Sequence, residues 1–108
     1  MLKLRDWIDI NKIDWVCLSV NPNAIELLKE NQDKINWDNL SRNPNAIELL
    51  KENKNNISWI FLSLNKNAIE LLKENQDNID WWMFSQNPNI FTYDYIKMKK
   101  KNEKQWNC

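Results

Sequence analysis

Residues 21–31 read NPNAIELLKEN, the same letters return at residues 43–53, and residues 65–75 differ from them only at Lys66. The copies begin at residues 21, 43 and 65, so the period is 22 residues. A divergent fourth copy starts with NPNI at residue 87, and half a unit precedes the first copy. A fixed period of this length is typical of repeat proteins, in which each unit covers the apolar face of its neighbour.

The other half of each unit varies more and therefore indicates what the fold requires. Its copies read KIDWVCLSV, KINWDNLSR, NISWIFLSL and NIDWWMFSQ. An isoleucine, a tryptophan, a leucine or phenylalanine, and a serine keep their places throughout. Because a buried indole removes about 150–250 Å² of surface from water, we predict that the isoleucines and tryptophans form the structural core. These core positions are Ile13, Ile35, Ile57, Ile79, Trp15, Trp37, Trp59 and Trp81.

Each unit carries the signals of two helices. The residue before every recurrent tryptophan is Asp, Asn or Ser, which favours a first helix of about six to seven residues that ends before Asn-Pro. The second helix has Ala24, Ile25, Leu27 and Leu28 on one face and is predicted to be about ten residues long. Its start is either at Asn-Pro or at a capping box two residues later. The recurrent asparagines and serines are expected to satisfy backbone groups at the junctions between helices.

These signals predict an all-α fold, a small α-solenoid of 22-residue helix–turn–helix repeats. A leucine-rich repeat is excluded because its strand pattern is missing, and the recurrent Asn-Pro excludes one long coiled coil. We expect a single repeat domain over residues 1–108. It divides into an N-terminal half-repeat cap (1–20), three repeats (21–42, 43–64 and 65–86) and a divergent C-terminal cap with a basic tail (87–108). Trp7 and Trp106 are expected to cover the two ends of the array.

Composition excludes most enzyme classes. The chain has no glycine and no histidine, which argues against phosphate-binding glycine loops, histidine-assisted nucleophiles and histidine metal sites. We therefore expect no enzymatic activity and no cofactor. Cys17 and Cys108 show no metal-type spacing, so an intracellular protein without a structural disulfide is expected rather than a secreted one. No apolar run is long enough to cross a membrane.

The positions that differ between units are the candidates for recognition of a protein partner. They lie on the first helix, where two of the three variable positions are four residues apart and share one face. An apolar patch there would mark a binding site, although several of these residues could instead complete the core. The predicted partner-binding residues are Asp38, Asn39, Arg42, Ile60, Phe61, Leu64, Trp82, Met83 and Gln86.

Two other functions stay open from the sequence. A structural or assembly protein would self-associate by end-on stacking or through the patch around Ile60, Phe61 and Trp82. Weak nucleic-acid binding would use the lysine-rich residues 97–104, although such a run is more often a solvated helix end. The formal net charge is zero, so no global field favours a nucleic acid or a membrane surface.

The motif NPNAIELLKEN followed by W-x-x-LS-x-NP resembles the short tandem repeats found in proteins of giant DNA viruses of amoebae and algae. The resemblance covers nearly the whole chain. Residues 4–8 and 89–95 also resemble the terminal segments of that family, which implies a complete short protein. The resemblance further implies a helical repeat fold and a viral source, hence a location in the host cytoplasm or the virion, but no mechanism.

Overall fold

The computed structural model describes residues 1–96, and within that range the chain is helical and contains no β-strand. Pairs of short α-helices are separated by 3₁₀ turns, and the pattern returns with every repeat. The predicted all-α repeat fold is confirmed. The α-helices are α1 Trp15–Leu18, α2 Ile25–Glu30, α3 Trp37–Arg42, α4 Ile47–Lys51, α5 Trp59–Leu62, α6 Ile69–Lys73 and α7 Trp81–Phe84. The 3₁₀ turns are Ile10–Lys12, Gln32–Lys34, Lys54–Asn56, Gln76–Asn78 and Pro88–Ile90.

The first helix of each unit begins at the recurrent tryptophan, as predicted. Its N-cap side chain accepts a hydrogen bond from a backbone N–H of the first turn: Asn36 Oδ1 from Asn39 N at 2.9 Å, and Asp80 Oδ1 from Met83 N at 3.0 Å. With six residues, α3 has the expected length, whereas α1, α5 and α7 are shorter, with four residues each. These three helices end early because the next backbone N–H groups bond to the carbonyl three residues before them, as Leu64 N does to Phe61 O at 3.1 Å.

The second helix is also shorter than the predicted ten residues, and neither predicted start is correct. In the first unit α2 begins at Ile25 and has six residues. Asn21 forms a turn instead of a cap, since its Oδ1 accepts from Asn23 N at 3.0 Å and its carbonyl accepts from Ala24 N at 3.1 Å. At the other end, Asn31 Nδ2 donates to Leu27 O, and this bond to the last turn ends the helix.

A 3₁₀ turn that the sequence analysis did not predict completes each unit. It follows the second helix and leads into the extended residues before the tryptophan. No residue among 1–96 has a positive φ, so a chain without glycine can form every one of these turns.

Leucines and alanines form the core, and the predicted isoleucines and tryptophans surround it. Ile35 and Ile57 are buried, whereas Ile13 and Ile79, in the outer units, are half-buried. The indoles of the first three units are partly buried and pack against the core; they are those of Trp15, Trp37 and Trp59. The fully buried apolar side chains include Leu28, Leu40, Ala46, Leu50, Leu62, Ala68 and Leu72.

The prediction that Trp81 is a core residue is wrong. Its side chain is 63% exposed. The physical reason is its place in the array, because residues that follow a tryptophan helix in the chain cover its ring. Lys34, in the 3₁₀ turn that precedes the next tryptophan helix, lies 5.1 Å from the ring centroid of Trp15. Among residues 1–96 no further unit covers α7.

Serines join consecutive units through the backbone. Ser41 Oγ donates to Trp37 O at 2.8 Å and accepts from Ser58 N of the next unit at 2.9 Å. Ser63 repeats this pair of bonds with Trp59 O and Asp80 N. Each of these serines is fully buried, so the hydroxyl satisfies a backbone donor that would otherwise lie in the interior without a partner.

Asparagines form a second set of bonds between units. Asn65 Nδ2 donates to Ser41 O at 3.0 Å and to Asn43 O at 2.9 Å, both in the preceding unit. Asn43 and Asn87 make the equivalent bonds in their own units. The expectation that asparagines and serines satisfy backbone groups at the junctions is confirmed. Within residues 1–96 no buried side-chain nitrogen or oxygen lacks a hydrogen-bond partner.

The repeated junctions give an elongated molecule with principal extents of 66 × 36 × 21 Å. None of the helices in the described part of the chain has the length and apolar character needed to span a bilayer.

Candidate partner-binding surface

The first helices of successive units pack side by side, and this brings their variable positions together. α3 packs against α5. Asn39 Nδ2 on α3 donates to Val16 O on α1 at 2.8 Å. The N-cap of α7 is bonded to Ser63 at the end of α5 through the backbone N–H of Asp80. Positions that are 22 residues apart in sequence therefore form rows that cross the four helices.

The most exposed of these rows is the one we call the variable row, which consists of Val16, Asp38, Ile60 and Trp82. Val16 is 50% exposed, Ile60 51% and Trp82 79%, and Asp38 is also exposed. Three of its four side chains are therefore large, apolar and in contact with water. Since apolar side chains of this size stabilise a fold only when they are covered, the variable row contributes little to the stability of the chain itself.

The other predicted partner-binding residues flank the variable row. Arg42 and Gln86 are exposed, and Leu64 is half-buried. The guanidinium carbon of Arg42 lies 5.5 Å from the ring centroid of Phe61, so the charged group covers one side of a half-buried ring. Asn39 and Met83 are half-buried as well. None of the nine predicted residues is in the fully buried core.

Two residues of the first unit, Val16 and Val20, belong to the same surface but were not among the predicted partner-binding residues. They occupy the same positions in their unit as Ile60 and Leu64, so the period alone could have placed them there. Val16 is as exposed as Ile60. Trp81 is a different case. A tryptophan occurs at this position in every unit, so the sequence predicted a buried side chain, whereas its place at the end of the array leaves it exposed.

The second helices carry a different type of surface. Lys29 Nζ lies 3.9 Å from Glu26 Oε1, and Lys51 Nζ lies 3.4 Å from Glu48 Oε1. Exposed ion pairs of this kind stabilise a helix by only a few tenths of a kcal/mol. This surface is the same in each unit and has no apolar row, so it provides control positions for binding experiments.

A cavity of about 740 Å³ lies at the N-terminal end of the array. The segment Met1–Trp7 forms one wall, and Leu18, Asn21, Ala24 and Leu27 of the first unit contribute to the other. The cavity is open to solvent, and Trp7 is largely exposed. The segment expected to act as a cap therefore covers the end of the array loosely.

No group of three His, Cys, Asp or Glu side chains that could hold a metal ion occurs among residues 1–96. Cys17 is free and exposed. The basic residues 97–104, the second predicted end-covering residue Trp106 and Cys108 lie outside the described residues. Comparison of the chain with protein-family models, curated proteins and solved structures gave no match.

Proposed function

We propose that the chain is a non-enzymatic interaction module that binds another protein through the variable row. The observation that carries this proposal is the exposure of Val16, Ile60 and Trp82 at a position whose residue changes from unit to unit. Adjacent exposed aliphatic and aromatic side chains are typical of interaction surfaces, and tryptophan is enriched among the residues that dominate binding energy.

The flanking side chains favour a protein as the partner over a nucleic acid. Asp38 lies within the row and would repel phosphates, whereas Arg42 is turned over the ring of Phe61. Protein interfaces combine apolar anchors with a polar rim, and Asp38, Arg42 and Gln86 would form that rim around Ile60 and Trp82.

The spacing of the row favours an amphipathic helix as the bound segment. Packed helices lie about 8–10 Å apart, so successive side chains of the row recur at roughly that distance. Residues seven apart on a helix are about 10.5 Å apart along its axis. A partner helix with large apolar residues at this spacing would contact Ile60 and Trp82 with consecutive side chains.

The proposal is tested by selection of helical peptides from a display library on the purified chain. We expect enriched sequences to carry apolar residues seven apart. Their affinity should fall at least tenfold, about 1.4 kcal/mol, for Ile60→Glu and for Trp82→Ala. Both side chains are exposed, so the two variants should unfold at the same denaturant concentration as the unmodified chain.

Glu48→Ala and Lys73→Ala change exposed residues of the second helices and serve as matched controls, for which peptide affinity should not change. The proposal is wrong if the selection yields no peptide that binds below about 100 μM, or if the selected peptides bind Ile60→Glu and Trp82→Ala as tightly as the unmodified chain.

We further propose that this interaction takes place inside a cell infected by a giant DNA virus. The motif resemblance supports the viral source, and the free thiol of Cys17 is compatible with a reducing compartment. Detection of the chain in fractions of infected cells and purified virions would test the proposal; recovery only from the culture medium would contradict it.

A further inference from the structure

The junctions inside the chain show which hydrogen-bond donors and acceptors lie on the two end faces of a unit. Asn65 Nδ2 donates to the carbonyls of Ser41 and Asn43, and Asn67 Nδ2 donates to Pro44 O at 2.7 Å. The donors thus always belong to the following unit, and the carbonyl acceptors always belong to the preceding one. Every unit has donors on its N-terminal face and acceptors on its C-terminal face.

The first unit has these donors without a unit in front of it. Asn21 and Asn23 occupy the positions of Asn65 and Asn67. Among residues 1–96 neither Nδ2 group donates a hydrogen bond, although the Oδ1 of Asn21 accepts from Asn23 N. Leu27 is also only half-buried, whereas its counterpart Leu49 in the next unit is almost completely buried. This N-terminal face therefore has both free amide donors and incompletely covered apolar surface.

The last described unit has the acceptors without a unit behind it. Ser85 Oγ donates to Trp81 O at 2.6 Å, as in the other units, but within residues 1–96 it accepts no hydrogen bond. The carbonyls of Ser85 and Pro88 also have no donor there, whereas their counterparts in the preceding units are bonded. Ser85 is exposed while Ser63 is fully buried, and the indole of Trp81 is uncovered.

We propose that copies of the chain stack head to tail, with the C-terminal face of one copy on the N-terminal face of the next. The bonds would be those of an internal junction: Asn21 Nδ2 of one copy to the carbonyls of Ser85 and Asn87 of the other, and Asn23 Nδ2 to Pro88 O. The indole of Trp81 would be covered by the first unit of the incoming copy. This inference is independent of the proposed partner surface.

A second copy is the occupant favoured by these faces because donors and acceptors match in type and sequence position. Residues 87–89 retain the letters NPN that form the acceptor side of the internal junction between units two and three. Each chain has one donor face and one acceptor face, so the contact is heterologous and does not close on itself. The incoming copy takes the place of Met1–Trp7, which covers the N-terminal face only loosely.

Two blocking variants test this arrangement by sedimentation velocity over a range of concentrations. Ser85→Arg blocks the C-terminal face, and Asn23→Arg blocks the N-terminal face. Both residues are exposed, so the variants should keep the circular dichroism of the unmodified chain. We expect the unmodified chain to form growing assemblies, each variant alone to associate at least tenfold more weakly, and an equimolar mixture of the two to form dimers that do not grow.

Asn55→Arg adds the same charge at an exposed position in the middle of the array and should associate like the unmodified chain. Ile60→Glu, which disrupts the variable row, should also leave association unchanged. Three results would overturn the proposal: an unmodified chain that stays monomeric up to millimolar concentration, association that survives both blocking substitutions, or a mixture that contains only monomers.

Discussion

The amide of Asn65 satisfies three backbone groups at once. Its Nδ2 donates to Ser41 O and Asn43 O, and its Oδ1 accepts from Asn67 N. Asn21 occupies the same position in the first unit, but within residues 1–96 its side-chain amide makes only the bond to Asn23 N. The chain therefore contains a natural comparison between an asparagine inside a junction and one at an open end.

Asn65→Ala should lower the free energy of unfolding by about 2–4 kcal/mol, because it leaves buried carbonyls without a donor. Asn21→Ala should cost less than about 1 kcal/mol, since it removes one exposed bond. Urea denaturation followed by circular dichroism measures both values. Equal losses for the two variants would mean that the bonds between units contribute little to stability.

The tryptophans show how far a recurrent residue can be interpreted from sequence. Recurrence correctly indicated that Trp37 and Trp59 pack against the core. It could not indicate how completely an indole is covered, because coverage depends on the residues that follow the tryptophan helix and the recurrent residue is the same at the end of the array. For the same reason the exposure of Trp81 could not be predicted from its own unit.

Trp59→Ala should destabilise the chain by about 3 kcal/mol, since it removes a large side chain that packs against buried leucines. Trp81→Ala should cost less than about 1.5 kcal/mol, because its main aromatic contact is an edge-on one to Phe84 at 5.5 Å. Urea unfolding at low micromolar concentration, which disfavours association between copies, provides the measurement. A larger loss for Trp81→Ala than for Trp59→Ala would contradict the position-dependent coverage.

At the scale of the helix, the starts of the first helices were predictable, whereas the starts of the second helices were not. An asparagine such as Asn36, directly before an apolar run, is readily predicted to be an N-cap. Its side chain accepts a hydrogen bond from an unpaired N–H group at the start of the helix. The asparagines of NPN had two candidate uses as caps, and the chain uses them instead for a turn and for the junction. Asn31 ends α2 through a bond from its side chain to Leu27 O. The local sequence does not indicate whether this side chain forms such a bond or faces the solvent.

Helices of four to six residues do not persist alone in water, so their caps contribute to stability only within the stacked array. Ser58 has the longest N-cap bond among the first helices, 3.5 Å from its Oγ to Phe61 N. Ser58→Ala should cost about 1 kcal/mol, and Ser58→Asp should be at least as stable as the unmodified chain because a carboxylate is a stronger acceptor and favours the helix N-terminus. Thermal unfolding of the three proteins checks this order; a Ser58→Asp variant less stable than Ser58→Ala would contradict it.

At the scale of the whole molecule, the repeat itself was evident from the sequence, and so were the positions that vary across it. The sequence left open whether Ile60 and Trp82 belong to the core or to the surface, because a single 22-residue unit has apolar residues on more than one side. Only the packing of α3 against α5 decides which side is left uncovered. In residues 1–96 both side chains lie on the surface, in the variable row.

Deletion of residues 43–64 should give a shorter chain that still folds, because the third repeat then meets the first with the same serine and asparagine bonds. Its unfolding midpoint in urea should be lower, since one unit and one junction are lost. Deletion of residues 43–53 removes only half a unit and should abolish cooperative unfolding, because it brings unlike halves together. If both deletions gave equally stable proteins, the 22-residue register would not be the basis of the fold.

In the described part of the chain, the serine and asparagine bonds between units connect residues at most 24 positions apart. A tensile load on the array would therefore act on one junction after another, because within residues 1–96 these bonds join only neighbouring units. Each detached unit would release roughly 75 Å of extended polypeptide, given about 3.4 Å per residue. Mechanically, the array would lengthen in steps under load and shorten again one unit at a time when the load is removed.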